Sequence, residues 1–487
     1  MADRDLANVL ALVDQIRPAL ERWDRPALND IIAQLIAAGA PMGEQWHQLA
    51  YIAAGNGEHR LARQAMDLAV ESWGADHAAQ FRKVEFLTIL GDQQEADVLL
   101  STLPETVPDP ATYALSRGTS ALNLGRAEEA RHYLERVTQL QPHSGFGWFW
   151  LSLAVDLARE PGLADSLIAA QPQVSQAPRT ERVPYYYALG KTHADRGDHD
   201  LAFEAFAKGA KQMRGAISYD HAADRADAAR SIEGYSAERI AAIARQQSEP
   251  TGRTIFVAGL PRSGTTLVEQ ILTSHSAVAD GGEISRLVLL SNDIGGASWG
   301  LLARHVAAQG AAPAARLWDH WLNELFPASG RVVDKTVTTS RFLGLAAALL
   351  PEAPLIWMTR DPLDRAWSCF RTNFSGSAMP WSYRLDDIAA HFRLEDQLLA
   401  RWRDILGDRL LVLSYEDLVT DPETWIRRVL AHCGLAEEAK VFAPHENPRP
   451  VPTASLAQVR RPISRMGIGA AEPYREHLAP FIEAYYD

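Results

Sequence analysis

FVAGLPRSGTT, residues 256–266, is the stretch that decides how this chain reads. An apolar strand is predicted from Thr254 to Ala258. A glycine-bracketed loop follows from Gly259 to Gly264, and a helix opens at Thr265-Thr266 and continues as LVEQILTSH. A strand that ends in a tight Gly loop and delivers the chain into a helix N-terminus makes an anion cradle. Its backbone N–H groups converge, and the helix dipole adds roughly half a unit of positive charge there. The expected ligand is a phosphorylated nucleotide, touched by Pro261, Arg262, Ser263, Gly264, Thr265 and Thr266. The departure from the Walker A pattern matters equally. GxxxxGK[ST] places a lysine on the phosphates and a hydroxyl on Mg²⁺. Here the lysine position is Thr265 and an arginine, Arg262, sits inside the loop. That argues against an ATP kinase and suits a nucleotide with a short 5′ anion and no metal.

Working outward toward the C-terminus, short apolar strands alternate with helical stretches: TIFVA (254–258), RVVD (331–334), PLIWMT (354–359) and RLLVLSY (409–415). Such alternation predicts a parallel sheet with helices on both faces and ligands at the carboxyl ends of the strands. PLIWMT runs into Arg360, and Asp361-Pro362 then opens a helix, as Asp and Pro suit a first turn. Ser368 follows eight residues after Arg360, about two helical turns on, so a strand-end arginine and a helical serine can close on one phosphate.

Toward the N-terminus the pattern is a repeat. Gly57, Gly91 and Gly125 are spaced by 34 residues, and an alanine stands five residues after each, at Ala62, Ala96 and Ala130. Ala164 continues the register, and Gly197 with Ala202 resumes it after an insertion. Trp46, Gly118, Tyr186 and Gly190 fall where the tetratricopeptide (TPR) consensus wants an aromatic or a glycine. Small residues at fixed places let paired helices pack closely, with a glycine turning the chain between them. The expected organisation is a helical cap over 1–42, TPR repeats over 43–214, a helical linker over 215–250 and an α/β domain over 251–487.

Bulk composition agrees with two or three soluble domains. The chain has 487 residues, 47% hydrophobic and 22% charged. A net charge of −13 argues against a general nucleic-acid binder. One basic island, residues 447–471, carries Arg449, Arg460, Arg461 and Arg465 and is a candidate anion-facing segment. No apolar run approaches the ~20 residues of a membrane helix, and the two cysteines, Cys369 and Cys433, read as buried thiols in a reducing compartment. A cytoplasmic location is therefore expected. No His/Cys/Asp grouping has metal-ligand spacing, so no metal is expected.

PRSGTT resembles the 5′-phosphosulfate loop of sulfotransferases, which use 3′-phosphoadenosine 5′-phosphosulfate (PAPS). The ordered motifs over roughly 254–465 resemble most the tyrosylprotein sulfotransferases and their TPR-fused bacterial relatives. That resemblance implies a P-loop-like fold and a set of roles. In PRSGTTLVEQILTSHSAVADGGE the catalytic base maps to Glu283, with His275 as the rival because other sulfotransferase branches use histidine. The lysine of VVDKT, Lys335, would stabilise the leaving phosphate, helped by Arg262 and Ser455. Arg360 and Ser368 map to the 3′-phosphate pair, and Tyr415 in LSYEDL to the nucleotide-site tyrosine. Arg461 stands where the family has lysine, and its planar fork is not equivalent to an ammonium. The resemblance implies a nucleotide co-substrate released as 3′,5′-ADP and an acceptor hydroxyl, with a peptide or protein at the TPR groove and no membrane span; a homodimer is among the expectations. Two other readings remain open: a P-loop kinase of a small molecule, and a TPR scaffold whose C-terminal domain has lost activity.

Overall fold

The computed structural model describes residues 2–374, 378–451 and 459–487. The N-terminal half is helical throughout. Helices Ala2–Glu21 and Arg25–Ala37 precede a series of helix pairs: Gln45–Gly55 with His59–Ser72, His77–Leu90 with Gln93–Ser101, and Pro110–Asn123 with Ala127–Leu140. Gly145–Ala154 with Pro161–Ala169 and Arg179–Arg196 with His199–Arg214 continue it. The periodic glycines make the turns inside these pairs. Gly57, Gly91, Gly125 and Gly197 have φ of +88°, +95°, +77° and +83°, a left-handed conformation that side chains other than Gly adopt at a cost. The fourth pair has no such glycine; a longer connection reaches Pro161, which opens its second helix. The register alanines Ala62, Ala96, Ala130, Ala164 and Ala202 are all buried. Gly118 and Gly190 answer to close approach, because a Cβ would lie 2.6 Å from Leu134 and 2.7 Å from Phe206 on the paired helix.

Helices His221–Ile232 and Ala237–Ala244 then lead into the α/β part. Its sheet comprises β1 (Thr254–Ala258), β2 (Val278–Asp280), β3 (Arg331–Asp334), β4 (Leu355–Thr359) and β5 (Leu410–Ser414), in the order β2-β3-β1-β4-β5. All the pairings are parallel, with Phe256 opposite both Asp334 and Leu355. The four strands expected from sequence are present, and β2 is an added edge strand of only three residues, too short for an apolar run to announce it. β1 is buried along its whole length, as a central parallel strand covered on both faces should be. Cys369 and Cys433 are free and buried.

The helical half is not a separate body beside the sheet. One core cluster joins Val183, Tyr187, Phe206 and Ala210 of the last helix pair to Leu363, Trp367, Phe370 and Phe481 of the α/β part. At the other end Arg25 bonds Asp293 at 2.6 Å, and Glu58 meets His320 at 2.8 Å. Gly57 lies so close to Trp321 that a Cβ would come within 2.8 Å of its indole nitrogen.

Candidate functional site

The loop between β1 and helix Thr265–Thr273 is shaped by three residues in positive φ: Gly259 (+135°), Arg262 (+68°) and Gly264 (+100°). At Gly259 a Cβ would lie 2.6 Å from the Met358 carbonyl, and at Gly264 2.9 Å from the Tyr415 ring. Both glycines are therefore sterically required. The loop places Ser263 at 0% exposure, with its Oγ lacking any hydrogen-bond partner among the described residues. A buried hydroxyl left so is costly, and here it sits at the N-terminal end of a helix.

Cations gather around this loop. The Arg262 Nε donates to Ser368 Oγ at 2.9 Å. Arg360, immediately after β4, donates to the Arg262 carbonyl at 3.0 Å and to the Gly467 carbonyl at 2.5 Å, and its guanidinium lies 4.7 Å over the Tyr415 ring. Asp361 caps helix Pro362–Phe370 by accepting from the Asp364 N–H at 2.9 Å, which fixes Ser368 two turns on. Burial pulls the Arg262 guanidinium down to about 10, with Arg371 and Arg360 adding to the depression. Burial likewise lowers Arg371, and Arg360 adds to it there too. Mutually repelling, partly buried cations favour an anion among them. Arg371 escaped the sequence reading; its place three residues after Ser368, on the same helical face, is the signal that could have found it. Gly467 was missed too, as was Asp364, whose carboxylate accepts from the Gly469 and Ala471 N–H groups at 2.7 and 2.8 Å and anchors that segment.

A second set of residues lies at the ends of β2 and β3. Gly281-Gly282 brings the chain against β3, where a Cβ on Gly281 would lie 2.3 Å from the Val333 carbonyl. The Lys335 N–H donates to the Gly282 carbonyl at 2.8 Å. Asp334 is fully buried and accepts from the Thr336 N–H and hydroxyl at 2.9 and 2.6 Å, and Thr336 in turn accepts from the Ser285 N–H at 2.9 Å. This ladder fixes the backbone on both sides of Glu283. The Glu283 side chain is 47% exposed and its Oε1 accepts from Lys335 Nζ at 2.8 Å, while Lys335 itself is 3% exposed. Burial lowers the Lys335 ammonium, but Glu269 and Glu283 outweigh it and leave the group raised.

His275 has both ring nitrogens engaged. Nδ1 accepts from the Ala277 N–H at 3.0 Å, so Nε2 is the donor, to the Ala436 carbonyl at 3.0 Å. Such a ring holds a turn together, with both nitrogens spent on backbone groups. The basic island divides. Arg449 is buried in ion pairs with Glu269 and Asp280, Arg460 donates to the Asn447 and Arg449 carbonyls at 2.8 and 2.6 Å, and Arg461 is exposed. Ser455 lies outside the described residues. The structure thus brings together Arg262, Ser263, Arg360, Ser368 and Tyr415 in one cluster and Glu283 with Lys335 in another, at the ends of neighbouring strands, and among the described residues Arg461 is bonded to neither.

Comparison with known proteins agrees with this architecture. Residues 254–439 match the model of the sulfotransferase family, and residues 111–144 match that of the tetratricopeptide repeat. The chain therefore carries a sulfotransferase domain behind a TPR-containing helical region. Over 317 residues it is 31% identical to an uncharacterized protein of Aquifex aeolicus, covering 63% of this chain and 42% of the relative. Over 184 residues it is 26% identical to the protein-tyrosine sulfotransferase of Drosophila melanogaster, covering 36% of this chain and 37% of the relative. The chain thus spans less than half the length of these curated relatives. Among solved structures, the sulfotransferase domain of the Synechococcus PCC 7002 olefin synthase aligns with a TM-score of 0.36 at 20% identity, over 47% of this chain and 90% of that one. MamA of Desulfovibrio magneticus RS-1 aligns with a TM-score of 0.29 at 19% identity, over 36% of this chain and 98% of that one.

Proposed function

We propose that the chain is a PAPS-dependent sulfotransferase that moves a sulfuryl group to an acceptor hydroxyl, with a peptide or protein tyrosine as the acceptor. The observation that carries this is the cluster at the loop: Arg262 and Ser368 joined at 2.9 Å, Arg360 beside them, and the Ser263 hydroxyl buried without a partner among the described residues. These groups fit a nucleotide with anions at both its 5′ and 3′ positions. The Ser263 hydroxyl and the loop N–H groups serve the 5′ anion at the helix N-terminus, and Arg360 with Ser368 serves the 3′-phosphate. A kinase reading needs a lysine where Thr265 stands.

When bound, PAPS supplies the sulfuryl group, whose S–O bond to the 5′-phosphate breaks as the acceptor oxygen bonds to sulfur. Glu283 is the base: its carboxylate, half-exposed and oriented by Lys335, takes the acceptor proton. Lys335 and Arg262 place positive charge where negative charge grows on the departing phosphate oxygen, as in phosphoryl transfer. A groove of about 660 Å³, lined by His47, Tyr51, Trp73, Arg82 and Glu85 between the first two helix pairs, supports a peptide acceptor or partner on the TPR region. The Drosophila relative's printed activity supports the tyrosine reading.

Calorimetric titration tests the donor. 3′,5′-ADP should bind at least tenfold more tightly than 5′-ADP, without added Mg²⁺. Equal affinity, or tighter Mg²⁺-dependent binding of 5′-ADP, would favour the kinase, and binding of neither the inactive scaffold. Incubation with sulfate-labelled PAPS and tyrosine-containing peptides then tests the acceptor; label on a glycan or small molecule alone would overturn the peptide reading.

A further inference from the structure

Beneath the Glu283–Lys335 pair lies a line of buried charge that the proposed reaction does not yet use. Glu269, on helix Thr265–Thr273, is 1% exposed. Its Oε2 is 3.9 Å from Lys335 Nζ and accepts from Arg449 Nη2 at 2.8 Å. Its Oε1 has no hydrogen-bond partner among the described residues. Arg449 is itself clamped, by Gln270 Oε1 at 2.6 Å and by Asp280, so the Glu269 carboxylate is held from behind. The line runs Glu283, Lys335, Glu269, Arg449, Asp280, anion and cation in alternation.

We propose that Glu269 is a positioning residue, a fixed carboxylate that holds the Lys335 ammonium in place and charged when Glu283 gives up its own charge. The inference rests on the reading of Glu283 as base and Lys335 as the cation for the leaving oxygen. The reason is charge accounting. A buried ammonium is costly unless an anion faces it. Glu283 faces it at rest, but a base that accepts a proton becomes neutral. Without Glu269, Lys335 would then be a buried cation beside a second cation, Arg449, with Asp280 as their remaining anion. With Glu269 present the line still balances, two carboxylates against two cations. Glu283 can therefore change charge during turnover without releasing Lys335. The groups that face Lys335 are Glu269 and Glu283, which favour its charged form, and Arg449, which opposes it. Burial pushes the Glu269 carboxyl up to about 7, against the pull of Lys335 and Arg449 and with Asp280 adding to the rise, so its charge is fully present only above that pH.

The test reads Lys335 directly and does not require turnover. The chain has six lysines, so the ¹³Cε signal of Lys335 can be resolved in protein labelled at lysine and assigned by its loss in Lys335→Arg. In the nucleotide-free wild type the signal should stay at its charged-form position at pH 9.5. In Glu269→Gln its midpoint should fall by at least one pH unit, a tenfold loss of proton affinity, so that a large neutral fraction is seen at that pH. Glu269→Asp keeps the charge and should keep most of the wild-type midpoint. A midpoint unchanged in Glu269→Gln overturns the proposal. If that variant does not fold, the wild type still decides: a Lys335 midpoint below the ordinary lysine value of about 10.4 overturns it, and one above supports it. In turnover assays Glu269→Gln should lower kcat about tenfold with little change in the acceptor KM, and should move the basic limb of the pH profile to lower pH. A shifted lysine signal in a protein that transfers no sulfuryl group would uphold the positioning role and reject the proposed activity.

Discussion

Glu283 and Arg360 are the residues on which the proposed chemistry turns, and each has a substitution that isolates its part. Glu283→Gln keeps the volume and removes the ionisable oxygen. If Glu283 takes the acceptor proton, kcat should fall by roughly 10²–10⁴ with 3′,5′-ADP affinity almost unchanged. His275→Asn should affect turnover far less, because both ring nitrogens already hold backbone groups; a reversed ranking in steady-state assays would reject Glu283 as base. Arg360→Ala should weaken 3′,5′-ADP binding by about 1.5–3 kcal/mol, the worth of a charge-assisted phosphate contact. Binding of adenosine 5′-phosphosulfate, which lacks the 3′-phosphate, should barely change. Because Arg360 also bonds the Arg262 carbonyl, equal weakening of both ligands by calorimetry would mean that it only shapes the loop. At this scale the sequence exposes residues whose neighbours in the chain define them: Arg262 inside a Gly loop, Ser368 two turns after Arg360. It hides those defined by distant contacts. Glu269 reads as one acid on an amphipathic helix, and nothing local places Arg449 against it. Gly467 reads as a turn residue, yet its carbonyl meets Arg360.

The strand–loop–helix element after β1 is legible because each part has a local cause: a β-branched run, glycines where φ is positive, and threonines opening a helix. Its steric tightness is not legible, since that depends on Met358 and Tyr415 from other strands' ends. Gly264→Ala joins both features. The residue has φ +100° and its Cβ would meet the Tyr415 ring at 2.9 Å. Backbone strain of this kind costs on the order of 1–3 kcal/mol. The variant should therefore lower the urea midpoint and lose nucleotide binding together, and a variant that binds 3′,5′-ADP normally would show that the loop geometry is not what the ligand requires. The N-terminal helix pairs follow the same logic. Their turns are written in single glycines at a fixed period, whereas the fourth pair, which lacks the glycine, is legible only through Ala164. The edge strand β2 shows the opposite limit. Three residues carry no periodicity, and it forms because Ala279 and its neighbours pair with an existing edge at Val332.

At the level of the whole molecule, the sequence divides the chain by pattern at about residue 250, and the packing does not respect that division. Phe203 stacks on Trp367 with ring centroids 6.1 Å apart, Phe206 meets the same indole edge-on at 5.6 Å, and Tyr474 stacks on it at 3.8 Å. Trp367 lies on the helix that carries Ser368, so the last helix pair of the N-terminal half supports the proposed nucleotide site from behind. Removing residues before Arg253 would strip Tyr187, Phe206 and Ala210 from that cluster. Each large side chain so exposed forfeits about 1.5–3 kcal/mol of burial, and several together exceed a large part of the 5–15 kcal/mol by which ordinary domains are stable. Fragment 253–487 should therefore aggregate or bind hydrophobic dyes, and the full chain should unfold in urea as one transition followed equally by tryptophan fluorescence and by far-UV circular dichroism. A fragment that is monomeric, unfolds cooperatively and binds 3′,5′-ADP with full-chain affinity would show that the α/β part stands alone. The shared core also sets what nucleotide binding can do at a distance: if the two halves fold as one, saturating 3′,5′-ADP should raise the single midpoint as a whole. A ligand that shifted only a later, second transition would reveal two units that merely touch.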